Sequence, residues 1–237
     1  RNNRDYLIMK VGIMQPYLFP YIGYFQLIYL VDKFVLYDDV NYIKKGWINR
    51  NNIIINGQKK LFTISLSGAS QNKLINEIYI ADDFKTFIKT IRINYSKAPF
   101  FNETMELIEK ILLYENRNLS LFIKNSFEIL LEYLNITTEL LLSSDIKKNN
   151  ELKGQQKIMA ICKELNTSTY INPIGGMELY KKETFKAKNI KLHFLKTNFT
   201  EYKQFKNEFI SGLSIIDVMM FNSVEEINDM LENYELL

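Results

Sequence analysis

Between Lys10 and Tyr37 the chain reads as strand, loop, helix, strand, and this passage constrains the fold more than any other. Lys10-Val-Gly-Ile-Met14 is a short apolar run with the length of a buried strand. Phe25, Leu27, Ile28 and Val31 then recur at helical spacing, which predicts a helix over 23–30, and Lys33 to Tyr37 is a second strand. Strands joined through one helix in this way pair in parallel by a right-handed crossover. A parallel pair needs cover on both faces, so the unit commits the chain to an α/β sheet. Its connecting loop, Gln15-Pro-Tyr-Leu-Phe-Pro-Tyr-Ile-Gly-Tyr24, holds two of the four prolines. A loop feeding a helix N-terminus offers unpaired N–H groups and the positive end of a dipole, which suits a phosphate-like anion. Gln15, Pro16, Tyr17, Tyr21, Gly23 and Tyr24 are therefore candidate binding residues, a structural corner being the alternative. The second strand ends in Asp38-Asp39, and ligands of open α/β sheets bind outside such carboxyl ends.

The rest of the chain continues the alternation. Asn56-Gly57 between apolar runs predicts a hairpin over 52–64. Residues 84–94, 105–114 and 119–134 carry helical stripes, and 78–80, 139–142, 169–171 and 190–195 read as strands. Leu152 to Leu165 is helical. Ser223-Val-Glu-Glu226 is a capping box opening the last helix, with a similar start expected at Ser214 and Asp217. The pattern predicts a parallel-sheet, Rossmann-like α/β core as a single domain over 9–237, with a helical lobe around 84–135. Residues 1–8, which precede Met9, read as upstream or added sequence.

Composition sets the outer bounds. A chain of 237 residues with 47% apolar content can bury a full core. The net charge of +3 comes without a basic stripe, so no nucleic-acid partner is expected. One cysteine excludes an internal disulfide and any Cys-based zinc site, and Cys162, at helical spacing from Ile158, reads as a core thiol. No run approaches the roughly 18 apolar residues of a membrane span, and no signal core precedes a cleavage site, which predicts a cytoplasmic protein without membrane insertion.

Three further segments carry chemistry-bearing residues. Asp38-Asp-Val-Asn-Tyr-Ile-Lys-Lys-Gly-Trp-Ile-Asn-Arg-Asn51 places the only tryptophan among charges, where an exposed indole brings no folding benefit. Trp47 can stack on a base or sugar, and Arg50, flanked by Asn49 and Asn51, can grip phosphate bidentately. Asp38 and Asp39 can coordinate Mg²⁺, bind ribose hydroxyls or act as general base, with Lys45 offsetting negative charge; a solvated loop is the bland alternative. Asn172-Pro-Ile-Gly-Gly176 follows a strand, and Gly175-Gly176 fits either close approach to a ligand, with Asn172 beside it, or a simple turn. Asp217 lies in an apolar run, where a buried carboxylate needs a partner or a task; with Asn222 it belongs to the binding set or to helix capping. His193, the lone histidine, alternates with Leu192 and Phe194 on a strand, which points to a structural role.

These motifs resemble the WbqC-like protein family: Met9 to Leu27, Tyr37-Asp-Asp-Val40, Lys45-Gly-Trp-Ile-Asn-Arg-Asn51, Ile174-Gly-Gly-Met-Glu-Leu-Tyr180 and Leu213 to Ser223. The resemblance implies a place in bacterial surface polysaccharide clusters, notably O-antigen synthesis, and hence nucleotide-activated sugars. More distantly, Tyr21-Ile-Gly-Tyr24 is similar to the HxGH loop of nucleotidylyltransferases. Here both histidine positions are tyrosines, which donate a hydrogen bond but no imidazolium charge. Each lost charge-assisted contact costs on the order of 10²–10³ in rate, which argues against standard nucleotidylyl transfer and leaves nucleotide binding intact. The expectation is a transferase acting on a nucleotide-activated amino sugar, by acyl or aminoacyl transfer, with ATP and Mg²⁺ entering if the reaction is ATP-driven. A non-catalytic nucleotide-sugar binder or scaffold and a glycosyltransferase are the alternatives.

Overall fold

The structure is a computed structural model that describes residues 9–206 and 208–237; the reading of residues 1–8 lies outside the described residues. In chain order the elements are β1 (Lys10–Met14), α1 (Ile22–Leu30), β2 (Lys33–Leu36), β3 (Arg50–Ile55), β4 (Gln58–Thr63), β5 (Leu66–Ser67), β6 (Tyr79–Ile80), α2 (Lys85–Tyr95), α3 (Phe101–Leu112), α4 (Leu119–Tyr133), β7 (Glu139–Leu142), α5 (Gly154–Glu164), β8 (Thr169–Pro173), α6 (Lys182–Lys186), β9 (Lys191–Thr197), α7 (Ile215–Phe221), α8 (Val224–Leu231) and β10 (Tyr234–Leu236). Six strands form one sheet in the order β10-β9-β8-β1-β2-β7, parallel throughout except for β10, which pairs antiparallel with β9. The protein is thus mixed α/β with a mostly parallel central sheet. From β1 the chain moves outward through β2 to β7, then returns to place β8 on the other side of β1.

Strand periodicity divides the core between the two faces. Val11, Ile13 and Val35 pack with Ile158, Ile161 and Cys162 of α5 and Phe185 of α6. Phe34 and Leu36 belong to the larger cluster, with Phe25 and Leu27 of α1, Phe127 of α4 and Met219 of α7. Helix α1 is apolar all round because it lies inside this layer, and its buried Gln26 donates to the Met230 and Asn233 carbonyls at the end of α8. Helices α2, α3 and α4 contribute to the same apolar cluster as α1 and the sheet.

The hairpin forms as its turn residues demand. Asn56 and Gly57 both take positive φ, 50° and 73°, and β3 pairs with β4 as a two-stranded sheet separate from the central one. Ser223 and Glu226 close the expected capping box at α8. At α7 the expectation is corrected: Ser214 caps through the Ile216 N–H, but Asp217 does not complete a box, because tertiary partners take both its oxygens. Strands β5 and β10 and helix α6 carry two, three and five residues, too few to show a period in sequence.

Candidate functional site

The loop after β1 leaves the sheet at its carboxyl edge and is fixed from three sides. Leu18 N–H bonds to the Ile48 carbonyl at 2.9 Å. Phe19 sits at φ 49°, in the left-handed region that a bulky side chain rarely adopts, immediately before Pro20. Its carbonyl accepts from Asn51 Nδ2 and from Ser214 Oγ, both at 2.8 Å, and these bonds hold the unusual turn. Ile215 N–H then bonds to the Pro20 carbonyl. The loop is a rigid corner whose two outward rings, Tyr17 and Tyr21, face a cleft.

That cleft, of about 290 Å³, is lined by Tyr17 and Tyr21 from the loop, Trp47 from the β2–β3 connection, Asn51 from β3, Lys59 from β4 and Phe199 beyond β9. The Tyr17 and Trp47 rings lie 6.4 Å apart, and Tyr21 and Phe199 likewise 6.4 Å apart. Trp47 is 50% exposed, an open aromatic face backed by the Arg50 guanidinium 5.5 Å from its centroid. Arg50 itself donates to the Gly46 and Lys45 carbonyls, which shapes the loop that carries Trp47. Lys45 is exposed on that loop at φ 59°. Lys59 Nζ bonds to the Ser211 carbonyl at 3.0 Å and so ties the hairpin to the opposite wall. Burial raises the Tyr17 hydroxyl's pKa, with Tyr21 adding to the effect and Arg50 opposing it; burial also raises that of Tyr21, against a hydrogen bond with Thr197. Both therefore remain neutral hydrogen-bond donors at physiological pH.

Other sequence candidates do not line the cleft. Tyr24 is fully buried, stacked on Phe127 at 5.3 Å, and its hydroxyl donates to the Gln15 carbonyl at 2.7 Å. Gly23 is buried beneath the Tyr21 ring, where a Cβ would meet Thr197 Oγ1 at 2.1 Å. Pro16 is buried in the same loop. Asn49 joins Tyr42 to the Ile64 carbonyl. Asn172 is buried at the end of β8, hydrogen-bonded to the Tyr170 hydroxyl and lying against Gly176, whereas Gly175 is exposed. Asn222 bonds back to the Val218 carbonyl at the end of α7.

Asp38 and Asp39 stand at the carboxyl end of β2, where they tie it to β7. Asp38 is completely buried and accepts from Ser144 N–H at 2.9 Å and Ser144 Oγ at 2.8 Å. Burial raises its pKa and Asp39 adds to the rise, against the Ser144 bonds. Asp39 faces Lys148 Nζ at 2.8 Å and Lys157 Nζ at 3.1 Å, with Ser143 Oγ donating at 2.7 Å. Burial pushes its carboxyl up, but Lys148, Ser143 and Lys157 together outweigh that and hold it below the ordinary aspartate range. With their oxygens committed to Ser144 and to two ammonium groups, the pair does not fit a Mg²⁺ site. Among the described residues no three His, Cys, Asp or Glu side chains gather around a common metal position. Cys162 is buried with its thiol pushed up to about 12, and His193 is held below its usual range by burial and by Lys182 and Lys191. No helix is long and apolar enough to cross a membrane among the described residues.

Asp217 is a hub. Its oxygens accept from Tyr95 at 2.6 Å, Tyr202 at 2.7 Å and Gln204 at 2.8 Å, and Tyr95 in turn accepts from Ile54 N–H of β3 at 2.8 Å. It thereby fixes the hairpin and the segment after Phe199, which form opposite walls of the cleft. Sequence reading missed Lys59, Phe199, Lys148 and Lys157. Each lies in a different element from its partner, and no local pattern marks it.

Comparison with known proteins fits this layout to a family. No solved structure matches the chain. The uncharacterized protein Rv1507c of Mycobacterium tuberculosis (strain ATCC 25618 / H37Rv) is 28% identical over 227 residues, which span 94% of this chain and 97% of that protein. The family model of the WbqC-like proteins matches residues 15–229, from the cleft-forming loop to the last helix, and the chain belongs to the WbqC-like protein family.

Proposed function

We propose that this protein acts in a polysaccharide-related process by binding a nucleotide-activated amino sugar in the aromatic cleft and transferring an acyl or aminoacyl group to it. One observation carries the reading: four aromatic rings and Lys59 surround a cleft formed by the loop that follows the central strand β1. Strand order reverses at β1, and ligands of open parallel sheets settle at such a reversal, which supports the reading. In this reading Trp47 and Tyr17 hold a flat base or sugar face. The neutral hydroxyls of Tyr17 and Tyr21 donate to the pyrophosphate, with Lys59 and Arg50 supplying positive charge and Asn51 a polar edge. Lys45, on the Trp47 loop, offsets charge on the donor group. Of the two carboxylates, Asp38 is the better base, because its raised pKa brings proton affinity closer to working pH, whereas Asp39 is held ionised by its lysines.

A second reading, a nucleotide-sugar carrier without turnover, is favoured by the burial and full partnering of Asp38 and Asp39. Thermal-shift measurements with dTDP-, UDP-, GDP- and CMP-sugars test the binding common to both, since a ligand of the native state raises Tm. At least one class is expected to do so in the wild type and to lose the effect in Trp47→Ala. A shift of equal size in Trp47→Ala, or none with any class, contradicts the cleft assignment. Incubation of the stabilising sugar with ATP and an acyl donor separates the readings: acylated product supports the transferase, unchanged substrate the carrier.

A further inference from the structure

We infer that a second site, between the hairpin and α2, takes a neutral saccharide, the acceptor partner of the nucleotide-sugar chemistry; this rests on the polysaccharide reading above. A cavity of about 670 Å³ lies between β4 and the start of α2, more than twice the size of the aromatic cleft. Its floor is apolar and aromatic: Phe62 and Phe87 are buried with ring centroids 4.9 Å apart. Its rim carries hydroxyls and carboxylates, Thr63 and Thr86 being exposed beside Asp82 and Asp83. No lysine or arginine lines it; at the rim Lys85 Nζ pairs with Asp83 at 3.3 Å, which leaves Asp82 as the net charge, and that negative charge disfavours a phosphate. Acceptor oxygens around an apolar floor instead match a pyranose, which presents hydroxyl donors at its edge and C–H bonds on its face.

The wall is pre-formed. Asp82 Oδ2 accepts from Ser65 N–H at 2.9 Å and Oδ1 from Phe84 N–H at 2.7 Å, which joins the strand end to the helix start. Phe84 is held at φ 61° by that contact, with the Arg117 guanidinium 5.0 Å over its ring. Asp82 keeps lone pairs beyond those two bonds, whereas Asp83, exposed at the mouth, is engaged by the Lys85 N–H and ammonium. Both cavities are lined by β4, Lys59 contributing to the aromatic cleft and Thr63 to this one, so the two lie along the same strand with different charge.

The test is a ¹⁵N–¹H NMR titration of the full chain with neutral chitotriose and mannotriose, with inorganic phosphate as the anionic probe. Amides of residues 61–65 and 81–90 are expected to shift saturably with at least one trisaccharide at millimolar concentration and not with phosphate. Thr86→Trp, at an exposed position, fills the mouth and is expected to weaken that binding by about tenfold or more. The same variant should keep the wild-type thermal shift with nucleotide-sugars, which shows that it folds and leaves the aromatic cleft intact. No shift in those residues with either sugar, equal binding by Thr86→Trp, or a preference for phosphate would each overturn the saccharide site while leaving the nucleotide-sugar reading standing.

Discussion

A carboxylate that faces two buried ammonium groups stays ionised, and Asp39 occupies that position between Lys148 and Lys157. Removing its charge leaves two cations in a site with little water, a loss of about 3–5 kcal/mol. Urea unfolding of Asp39→Asn should show that loss at neutral pH; a change within error of zero would mean that the lysines find other partners. The pH dependence has a definite sign. The folded pKa lies below the ordinary value of 3.8, so the stabilisation is complete above 3.8 and is lost as pH falls through the depressed value. The gap between wild type and Asp39→Asn should therefore narrow in strong acid. Asp38 and Asp217 act in the opposite sense, since burial raises their pKa values: each costs stability as pH rises from 3.8 through its raised value.

At the scale of elements, the loop after β1 and the start of α1 depend on close approach. A Cβ on Gly23 would meet Thr197 Oγ1 at 2.1 Å and the Tyr21 ring at 2.4 Å, so Gly23→Ala must displace β9 or push Tyr21 from the cleft. The expected outcome is a lower Tm by thermal unfolding together with weaker nucleotide-sugar binding; unchanged values of both would show that the corner yields freely. Asp217→Ala removes the acceptor shared by Tyr95, Tyr202 and Gln204, the first of them fully buried, and should cost about 3 kcal/mol in denaturant unfolding. Such elements differ in how far the sequence reveals them. Asn56-Gly57 announces its hairpin because positive φ closes that turn, and β1 and β2 are visible as short apolar runs because both faces of the sheet are buried. The partners of Asp217 and Asp39 are invisible, because Tyr95 is 122 residues from the one and Lys157 118 from the other. Asp217 was recognisable as a charge in an apolar run, but its task was not. Trp47 and Tyr17 were recognisable as aromatic residues in polar or irregular segments; their meeting in one cleft depends on where Leu18 docks against Ile48.

For the whole molecule, the order β7-β2-β1-β8-β9 gathers the loops after β1, β2 and β8 along one edge of the sheet. The βαβ reading of residues 10–37 anticipated this for the loops after β1 and β2, while the position of the loop after β8 and the walls supplied by the hairpin and by the segment after β9 needed the full fold. The protein carries its own reporter for the result, since its single tryptophan is half exposed and lines the cleft. Intrinsic fluorescence during titration with the nucleotide-sugar that raises Tm therefore reads occupancy directly. A saturable change in Trp47 emission is expected, with affinity reduced by about tenfold or more in Tyr17→Ala. Emission that stays constant while the same compound stabilises the protein would place binding elsewhere and contradict the central assignment.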